Sequence, residues 1–233
     1  MKFQGTINTY SLIEGAQKAT GLTVIIDVFR AFSLEAYLYS MGARQIRPTG
    51  SLEETYAWRD RDPDCLLIGE RQGKMCEGFD YGNSPSTVDP ERIRGSLIIH
   101  TSSAGVQGVN SAVRAERIIT GSLVNAAAVA AYIKREAPDE VSLVCMGNGG
   151  VAPAREDELC ASYIRSMLLD EDMPDLDDKI RDLRYNGGEH FFDPALQEIF
   201  PKEDFYMCTK RDLFNFIIRI EKDDKGLISV MEQ

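Results

Sequence analysis

The 233-residue sequence predicts an α/β fold, built on a mainly parallel sheet that ends in an antiparallel hairpin. Short apolar runs of strand length alternate with helix-period segments along most of the chain, which is typical of parallel strands joined by helices. Helix-start signals stand at the boundaries, among them the capping box that begins at Ser51 and the Asp89-Pro90 pair. The tail alternates apolar and polar residues on both sides of a turn at residues 223–226, which predicts the hairpin.

The predicted elements follow one another in a regular order. In the first half they are a buried strand (21–27), a helix from Ser33 to Gly42, a helix after Ser51, a strand (65–69) and a long glycine-rich loop (70–85). In the second half they are a helix after Asp89, a strand (96–100), a small-residue turn (101–105) with its helix, a strand (117–120), an alanine-rich helix capped by Ser122, a strand (141–146), a helix that begins near Glu156, and an acidic loop (170–178) followed by helical pieces. Because no linker or repeat interrupts this order, we expect one domain over residues 1–233.

The charge balance excludes some classes of partner. The chain has 26 Lys and Arg residues against 37 Asp and Glu residues, a net charge of −11, and no run of basic residues. Nucleic acids and anionic membrane surfaces need clustered positive charge, so we expect neither as a partner. Every apolar run is far shorter than the ~20 residues of a membrane-spanning helix, and the N-terminus lacks an apolar signal segment. We therefore expect a cytoplasmic protein, with a homodimer as a reasonable assembly.

The cysteine and histidine content argues against a zinc site. Five cysteines are scattered along the chain without a Cys-x-x-Cys pair, which predicts reduced thiols rather than a disulfide framework. His100 and His190 are the only histidines, so a histidine-rich metal site is not expected. We expect His100 to end a core strand.

Four loops that leave the predicted strands carry the candidate functional residues. Ligands of open α/β sheets bind outside the carboxyl ends of the strands, so these loops should share one edge of the sheet. The candidates are Asp27 and Arg30 in the first loop, Glu70, Arg71 and Ser84 in the second, Ser102 and Ser103 in the third, and Asn148 and Asp157 in the fourth. We expect them to meet in one cleft.

Carboxylates and arginines in one cleft favour phosphoryl chemistry. Asp27, Glu70 and Asp157 are candidate ligands of Mg²⁺, which prefers oxygen ligands and keeps bound waters. Arg30 and Arg71, together with the N–H groups of the turns, are candidates for holding anionic oxygens. Each carboxylate also has a structural interpretation as a helix cap or a surface ion pair. The occurrence of all four loops at predicted strand ends favours the functional interpretation.

A glycine turn supports a rival interpretation. Residues Gly147 to Ala152 fit the pattern G-x-G-x-x-A after a strand, which places a pyrophosphate on a helix N-terminus in NAD(P)-binding oxidoreductases. The pattern comes late in the chain and Pro153 follows it at once, so it is a weak signal. A third interpretation is a non-catalytic anion-binding protein that has the same cleft.

Several motifs of this sequence resemble those of the 2-phosphosulfolactate phosphatase family. They are Asp27-Val28-Phe29-Arg30-Ala31, the segments Gly69-Glu70-Arg71-Gln72-Gly73 and Gly78-Phe79-Asp80-Tyr81-Gly82-Asn83-Ser84-Pro85, the turn Thr101-Ser102-Ser103-Ala104-Gly105, and Gly147-Asn148-Gly149 with Glu156-Asp157. They occur in the expected order over roughly the first 165 residues. The second group is the most specific.

The resemblance implies a Mg²⁺-dependent acid phosphatase that hydrolyses 2-phospho-3-sulfolactate to 3-sulfolactate and phosphate, a step that serves coenzyme M biosynthesis in methanogens. It also implies a three-layer α/β/α fold around a mixed sheet. Asp27, Glu70 and Asp157 are then the expected catalytic and metal-binding residues, with Asp27 also a candidate nucleophile or general base. The expected substrate-binding residues are Arg30, Arg71, Ser84, Ser102, Ser103 and Asn148. Phe32 and the Ser102-Ser103 pair depart from the usual family residues, which leaves the natural substrate open.

Overall fold

The computed structural model describes residues 2–233 and confirms the α/β fold with a mixed sheet flanked by helices on both faces. In these residues the sheet has ten strands: β1 (Thr6–Ser11), β2 (Leu22–Ile26), β3 (Gln45–Pro48), β4 (Leu66–Arg71), β5 (Lys74–Met75), β6 (Leu97–Thr101), β7 (Arg117–Gly121), β8 (Glu140–Cys145), β9 (Ile217–Asp223) and β10 (Gly226–Glu232). The α-helices are α1 (Leu12–Lys18), α2 (Ala31–Ser40), α3 (Leu52–Arg61), α4 (Pro90–Ile93), α5 (Gly105–Ser111), α6 (Ala126–Glu136), α7 (Arg155–Leu168), α8 (Leu176–Asp182) and α9 (Lys202–Cys208).

The sheet consists of two parallel groups joined by the C-terminal hairpin. Its strand order is β1-β8-β2-β7-β9-β10-β3-β6-β4-β5. Within β1-β8-β2-β7 and within β3-β6-β4 all pairs are parallel. The predicted hairpin β9–β10 is confirmed, and it lies between the two groups, antiparallel to β7 on one side and to β3 on the other. The hairpin is therefore an internal part of the sheet.

Strand β2 shows why the sheet is covered on both faces. All five of its residues are buried. Leu22, Val24 and Ile26 face one core, which contains apolar residues of α6 and α7, while Ile25 faces another, which contains residues of α1 and α5. Alternate side chains of a strand point to opposite faces, so a continuously apolar strand needs a helical layer on each side.

Four elements are absent from the sequence-based prediction. Strand β1 is half exposed at the sheet edge and reads TINTYS, so it lacks a strong apolar signal. Helix α1 and strand β3 are short, and β3 contains Arg47, which is buried beside its partner Asp223. Strand β5 has only two residues. Local patterns of this length do not stand out from loops.

The prediction of a loop over residues 70–85 is wrong at the start of that range. Strand β4 continues through Glu70 and Arg71, and a tight turn then leads to β5. Gln72 and Gly73 both have positive φ, at 55° and 80°, which suits the twist of a two-residue hairpin. Glu70 is therefore held on a strand.

The predicted acidic loop at residues 170–178 also ends too late. Helix α8 begins at Leu176, because Asp177 and Asp178 favour the helix N-terminus and Asp175 pairs with Lys179 across one turn.

Two composition-based expectations can be compared with the structure. All five cysteines are buried free thiols, and His100 is fully buried in β6, so the sequence-based interpretations of these residues are confirmed. None of the helices within residues 2–233 has the length and apolar character needed to cross a membrane.

Candidate active site

The loops after β2, β4, β6 and β8 meet at one edge of the sheet and surround a cavity of about 1000 Å³. Of the predicted site residues, Arg30, Glu70, Ser103 and Asn148 line this cavity. In the described part of the chain, the other predicted residues are not part of its lining: Asp27, Arg71, Ser84, Ser102 and Asp157. The predicted cleft is thus present, but only some of the expected side chains face it.

Asp27 joins the first loop to the third. It is 5% exposed at the end of β2. Its Oδ1 accepts a hydrogen bond from the Ala31 N–H at 3.1 Å and its Oδ2 accepts one from the Gly105 N–H at 2.8 Å. A Cβ at Gly105 would lie 2.7 Å from Oδ2, so only glycine allows this approach. Burial raises the pKa of Asp27 to about 6, although the two N–H donors act in the opposite direction.

Asp157 joins the first loop to the fourth. It is buried in the first turn of α7, and its two oxygens accept hydrogen bonds from the Val28 N–H at 2.8 Å and the Gly147 N–H at 2.7 Å. Burial raises its pKa well above the ordinary value, and the nearby Glu156 and Asp27 carboxyls raise it further. The side chain therefore holds two strand-end loops together.

Glu70 joins the second loop to the third. Its Oε1 accepts a hydrogen bond from the Ser103 N–H at 2.6 Å. Its Oε2 accepts hydrogen bonds from the Gly73 N–H at 2.7 Å and from Ser103 Oγ at 3.1 Å. Unlike Asp27 and Asp157, Glu70 lines the cavity, so its carboxylate is positioned by backbone donors and still faces the solvent-filled space.

Glu156 is a site residue that sequence reasoning missed. It is 6% exposed and lines the cavity, and among the described residues its Oε2 has no hydrogen-bond partner. Burial raises its pKa to about 7, and of the neighbouring carboxyls Asp27 adds most to this effect. In the sequence it marks only the start of a predicted helix and part of a motif that resembles the family. Only burial beside other carboxylates distinguishes it.

The guanidinium of Arg30 makes mainly structural contacts. Its Nη1 donates hydrogen bonds to Asp204 at 2.8 Å and to the Ile199 carbonyl at 2.9 Å, and its Nη2 donates to the Gly73 carbonyl at 3.3 Å. The guanidinium carbon lies 4.8 Å from the ring centre of Phe200. Asp204 also accepts from Ser84 Oγ at 3.0 Å. Arg30 thus attaches the chain around α9 to the cavity wall.

Two further predicted ligands of the substrate have structural partners. Arg71 donates through Nη1 to the Glu70 carbonyl at 2.7 Å and through Nη2 to Thr101 Oγ1 at 3.1 Å. Ser102 Oγ accepts a hydrogen bond from the Val106 N–H at 3.0 Å, which caps the start of α5. Arg71 and Ser102 therefore stabilise the loops of the cavity wall without lining the cavity.

Arg155 is the second residue that sequence reasoning missed. It is exposed at the first position of α7 and lines the cavity. Within residues 2–233 no carboxylate lies within ion-pair distance of it. A cation at a helix N-terminus opposes the helix dipole. That unfavourable position is the signal in the sequence that could have marked Arg155 as a functional residue.

Asn83 is oriented towards the cavity by a buried histidine. His100 Nε2 lies 3.1 Å from Asn83 Oδ1, and assigning the proton to Nε2 makes the histidine the donor. Asn83 lines the cavity, and 4% of its surface is exposed. With its oxygen occupied, its amide NH₂ group is the part left to bind a ligand oxygen.

The described residues contain no group of three or more His, Cys, Asp or Glu side chains arranged to hold a metal ion. Asp27, Glu70 and Asp157 therefore do not form such a group, and their metal role stays a prediction. Glu70 and Glu156 do face the cavity, and Glu156 has an unpaired oxygen. Mg²⁺ commonly takes only one or two protein carboxylates, with waters and substrate phosphate as its other ligands. These two residues fit that donor set.

The comparison with known proteins agrees with the motifs at this cavity. The family model for 2-phosphosulpholactate phosphatase matches residues 7–223. The chain belongs to this family. The matched region contains all four strand-end loops, so the family match covers the whole cavity and most of the sheet.

Relatives from several bacteria carry the same description, "Probable 2-phosphosulfolactate phosphatase". The one from Caldanaerobacter subterraneus subsp. tengcongensis is 31% identical, over 94% of this chain and 95% of its own length. The one from Thermotoga petrophila is 32% identical, over 83% and 86%. The one from Bacillus subtilis is 26% identical, over 87% and 88%. The family is thus one of phosphatases, which are hydrolases.

The glycine turn does not have the structural context of a dinucleotide site. Its Asn148 N–H donates to the Ala152 carbonyl at 2.7 Å, so the turn closes on itself. In the chain as described, α7 is followed by α8 and short 3₁₀ segments, and the next strand is the antiparallel β9. A dinucleotide site needs a parallel strand after the helix to carry the ribose-binding acid.

The Arg30–Asp204 pair generates a stability prediction. Both side chains are buried, so Asp204→Ala leaves an unpaired guanidinium away from water. We expect a loss of about 3–5 kcal/mol in the free energy of unfolding, measured by urea denaturation. The exposed pair of Asp178 and Arg181 supplies the control, because Asp178→Ala should change stability by less than about 1 kcal/mol. Equal effects of the two substitutions would contradict the prediction.

The raised pKa of Glu156 generates a pH prediction for the metal-free protein. Between its ordinary 4.5 and about 7, the folded state keeps a proton that the unfolded chain has released. The free energy of unfolding therefore falls as the pH rises through this window, by up to about 3 kcal/mol from this group. Glu156→Gln has no proton to lose, so it should be more stable than wild type at about pH 8 and similar at about pH 4.5. Urea denaturation with a chelator tests this, and parallel pH curves would refute it.

Proposed function

We propose that this chain is a Mg²⁺-dependent phosphomonoesterase that hydrolyses 2-phospho-3-sulfolactate to 3-sulfolactate and phosphate. The observation that carries the proposal is the family match over residues 7–223, which includes a cavity with carboxylates and an unpaired arginine on its wall. Water supplies the oxygen of the released phosphate, the phosphorus–oxygen bond to the carbon skeleton breaks, and the alcohol oxygen takes a proton.

The charge of the cavity supports a requirement for a cation. The substrate carries carboxylate, sulfonate and phosphate, roughly four negative charges, since the second phosphate pKa is about 6. The cavity wall has the carboxylates Glu70, Glu156 and Glu189 against two guanidinium groups, of which Arg30 is paired with Asp204. Without a bound cation this wall would repel the substrate. A divalent ion would offset the charge of both.

Glu70 and Glu156 are the residues we propose to hold Mg²⁺. Glu70 is fixed by Ser103 and Gly73, and Glu156 supplies the unpaired oxygen. When bound, the ion would neutralise the phosphoryl oxygens and favour the charge distribution of the transition state. Asp27 and Asp157 remain proposed ligands as predicted, although each oxygen already accepts one backbone hydrogen bond.

The protonation states of the carboxyl groups suit acid–base work near neutral pH. The pKa of Asp27 is raised to about 6 and that of Glu156 to about 7, both mainly by burial. General acids and bases are most effective when the pKa lies near the working pH. Asp27 stays the candidate base or nucleophile, while Glu156 as a proposed metal ligand would be ionised when the ion is bound.

Arg155 and Asn83 are the proposed ligands of the acidic groups of the substrate. Arg155 offers a guanidinium that has no ion-pair partner among the described residues, and guanidinium groups bind sulfonate, carboxylate and phosphate oxygens bidentately. Asn83 offers its amide group, and Ser103 and Asn148 line the same wall. The homodimer, the cytoplasmic location and the role in coenzyme M biosynthesis stay predictions.

The test of this function is the release of phosphate from 2-phospho-3-sulfolactate. We expect turnover with Mg²⁺ and a loss of it with a chelator, restored by added Mg²⁺. Glu156→Gln should lower kcat by a factor of about 100 or more, because it removes a proposed metal ligand. Its exposed neighbour supplies the control, and Glu158→Gln should stay within about twofold of wild type. Binding of sulfolactate without hydrolysis would favour the non-catalytic interpretation.

A second prediction concerns Arg155. Arg155→Gln removes the unpaired cation from the cavity wall, so KM should rise by about tenfold or more while the fold is unchanged. Arg165→Gln changes the charge of the same helix outside the cavity, and its KM should match wild type. Equal KM values for the two variants would contradict the role of Arg155.

A further inference from the structure

A second cavity, of about 510 Å³, lies at the other end of the strands. Its wall includes Gln45 and Leu97, the first residues of β3 and β6, whereas the active-site cavity lies at the carboxyl ends. The end of α3 and the turn of the hairpin β9–β10 complete it. The two cavities share no lining residue. We call it the Trp58 cavity, after the tryptophan in its wall.

Positive charge is concentrated in the Trp58 cavity. Arg44, Arg47, Arg61 and Lys225 line it, from three separate segments of a chain whose net charge is −11. Arg47 is paired with Asp223. For the other three, the structure of residues 2–233 shows no carboxylate within ion-pair distance. Because the sequence has no basic run, only the fold brings these charges together.

Two buried donors in this cavity lack acceptors. Trp58 and Arg47 are each 4% exposed. In the described residues neither Trp58 Nε1 nor Arg47 Nε has a hydrogen-bond partner. The guanidinium carbons of Arg47 and Arg61 lie 5.1 and 5.4 Å from the centre of the Trp58 ring. Unpaired buried N–H groups are costly, and in native proteins they commonly mark the place of a water or an ion.

We propose that the Trp58 cavity is a binding site for a small polyanion, a compound with at least two phosphate or sulfonate charges. Three cations without an ion-pair partner among the described residues can contact several oxygens of one ligand, which favours a compound with at least two anionic groups. Arginine and lysine heads bind such oxygens directly. Asp62 and Asp224 on the same wall oppose the binding of any anion, so affinity has to come from direct contacts with the cationic heads.

Trp58 provides a specific optical readout. It is the only tryptophan of the sequence, so tryptophan emission reports on this cavity and not on the active site. Pyrophosphate is the probe, titrated into metal-free protein while Trp58 emission is recorded. We expect a saturable change for wild type. Chloride at equal ionic strength should give none, and sulfate should bind more weakly than pyrophosphate.

The variant R61Q/K225Q tests the assignment, since both side chains are exposed and neither lies in the active-site cavity. Its dissociation constant for pyrophosphate should rise by about tenfold or more. R114Q/K210Q removes the same charge elsewhere on the surface and should behave as wild type. Calorimetry run in parallel should show the same loss of affinity for R61Q/K225Q. An equal response to chloride, or equal binding by both variants, would overturn the proposal.

Discussion

Buried carboxylates that accept backbone N–H groups from neighbouring loops are the interaction on which this active site depends. Asp27, Asp157 and Glu70 each accept from two different segments. Ionised carboxylates are costly to bury, and charge-assisted bonds from the backbone offset part of that cost. Since each carboxylate connects two loops, the four loops are held as one wall. The cavity follows from this arrangement.

The same arrangement leaves an excess of negative charge that the fold does not neutralise. Backbone donors stabilise Asp27 and Asp157, but the pKa of each stays raised because burial and the neighbouring carboxyls dominate. Arg30, which the sequence offered as a counter-charge, is paired with Asp204 and belongs to the framework. The proposed metal would supply the positive charge that the described residues do not place beside these carboxyls.

Much of the fold was predictable because it rests on local patterns. The apolar runs of β2, β6 and β8 and the caps at Ser51 and Asp89 each determine their own element. The places of Asp27 and Glu70 at the carboxyl ends of strands followed from the same patterns, while their roles stay predictions. Arg155 and Glu156 were not, because their roles depend on which partners lie nearby. A free guanidinium and an unpaired buried oxygen are properties of the tertiary structure.

The place of the hairpin in the sheet has a consequence for biosynthesis. Strands β9 and β10 follow all other strands in the sequence, yet they separate β7 from β3 in the finished sheet. A chain emerging from the ribosome can form each parallel group early, but the groups cannot join until residues 217–232 have left the exit tunnel. Until then two strand edges remain open to wrong pairing.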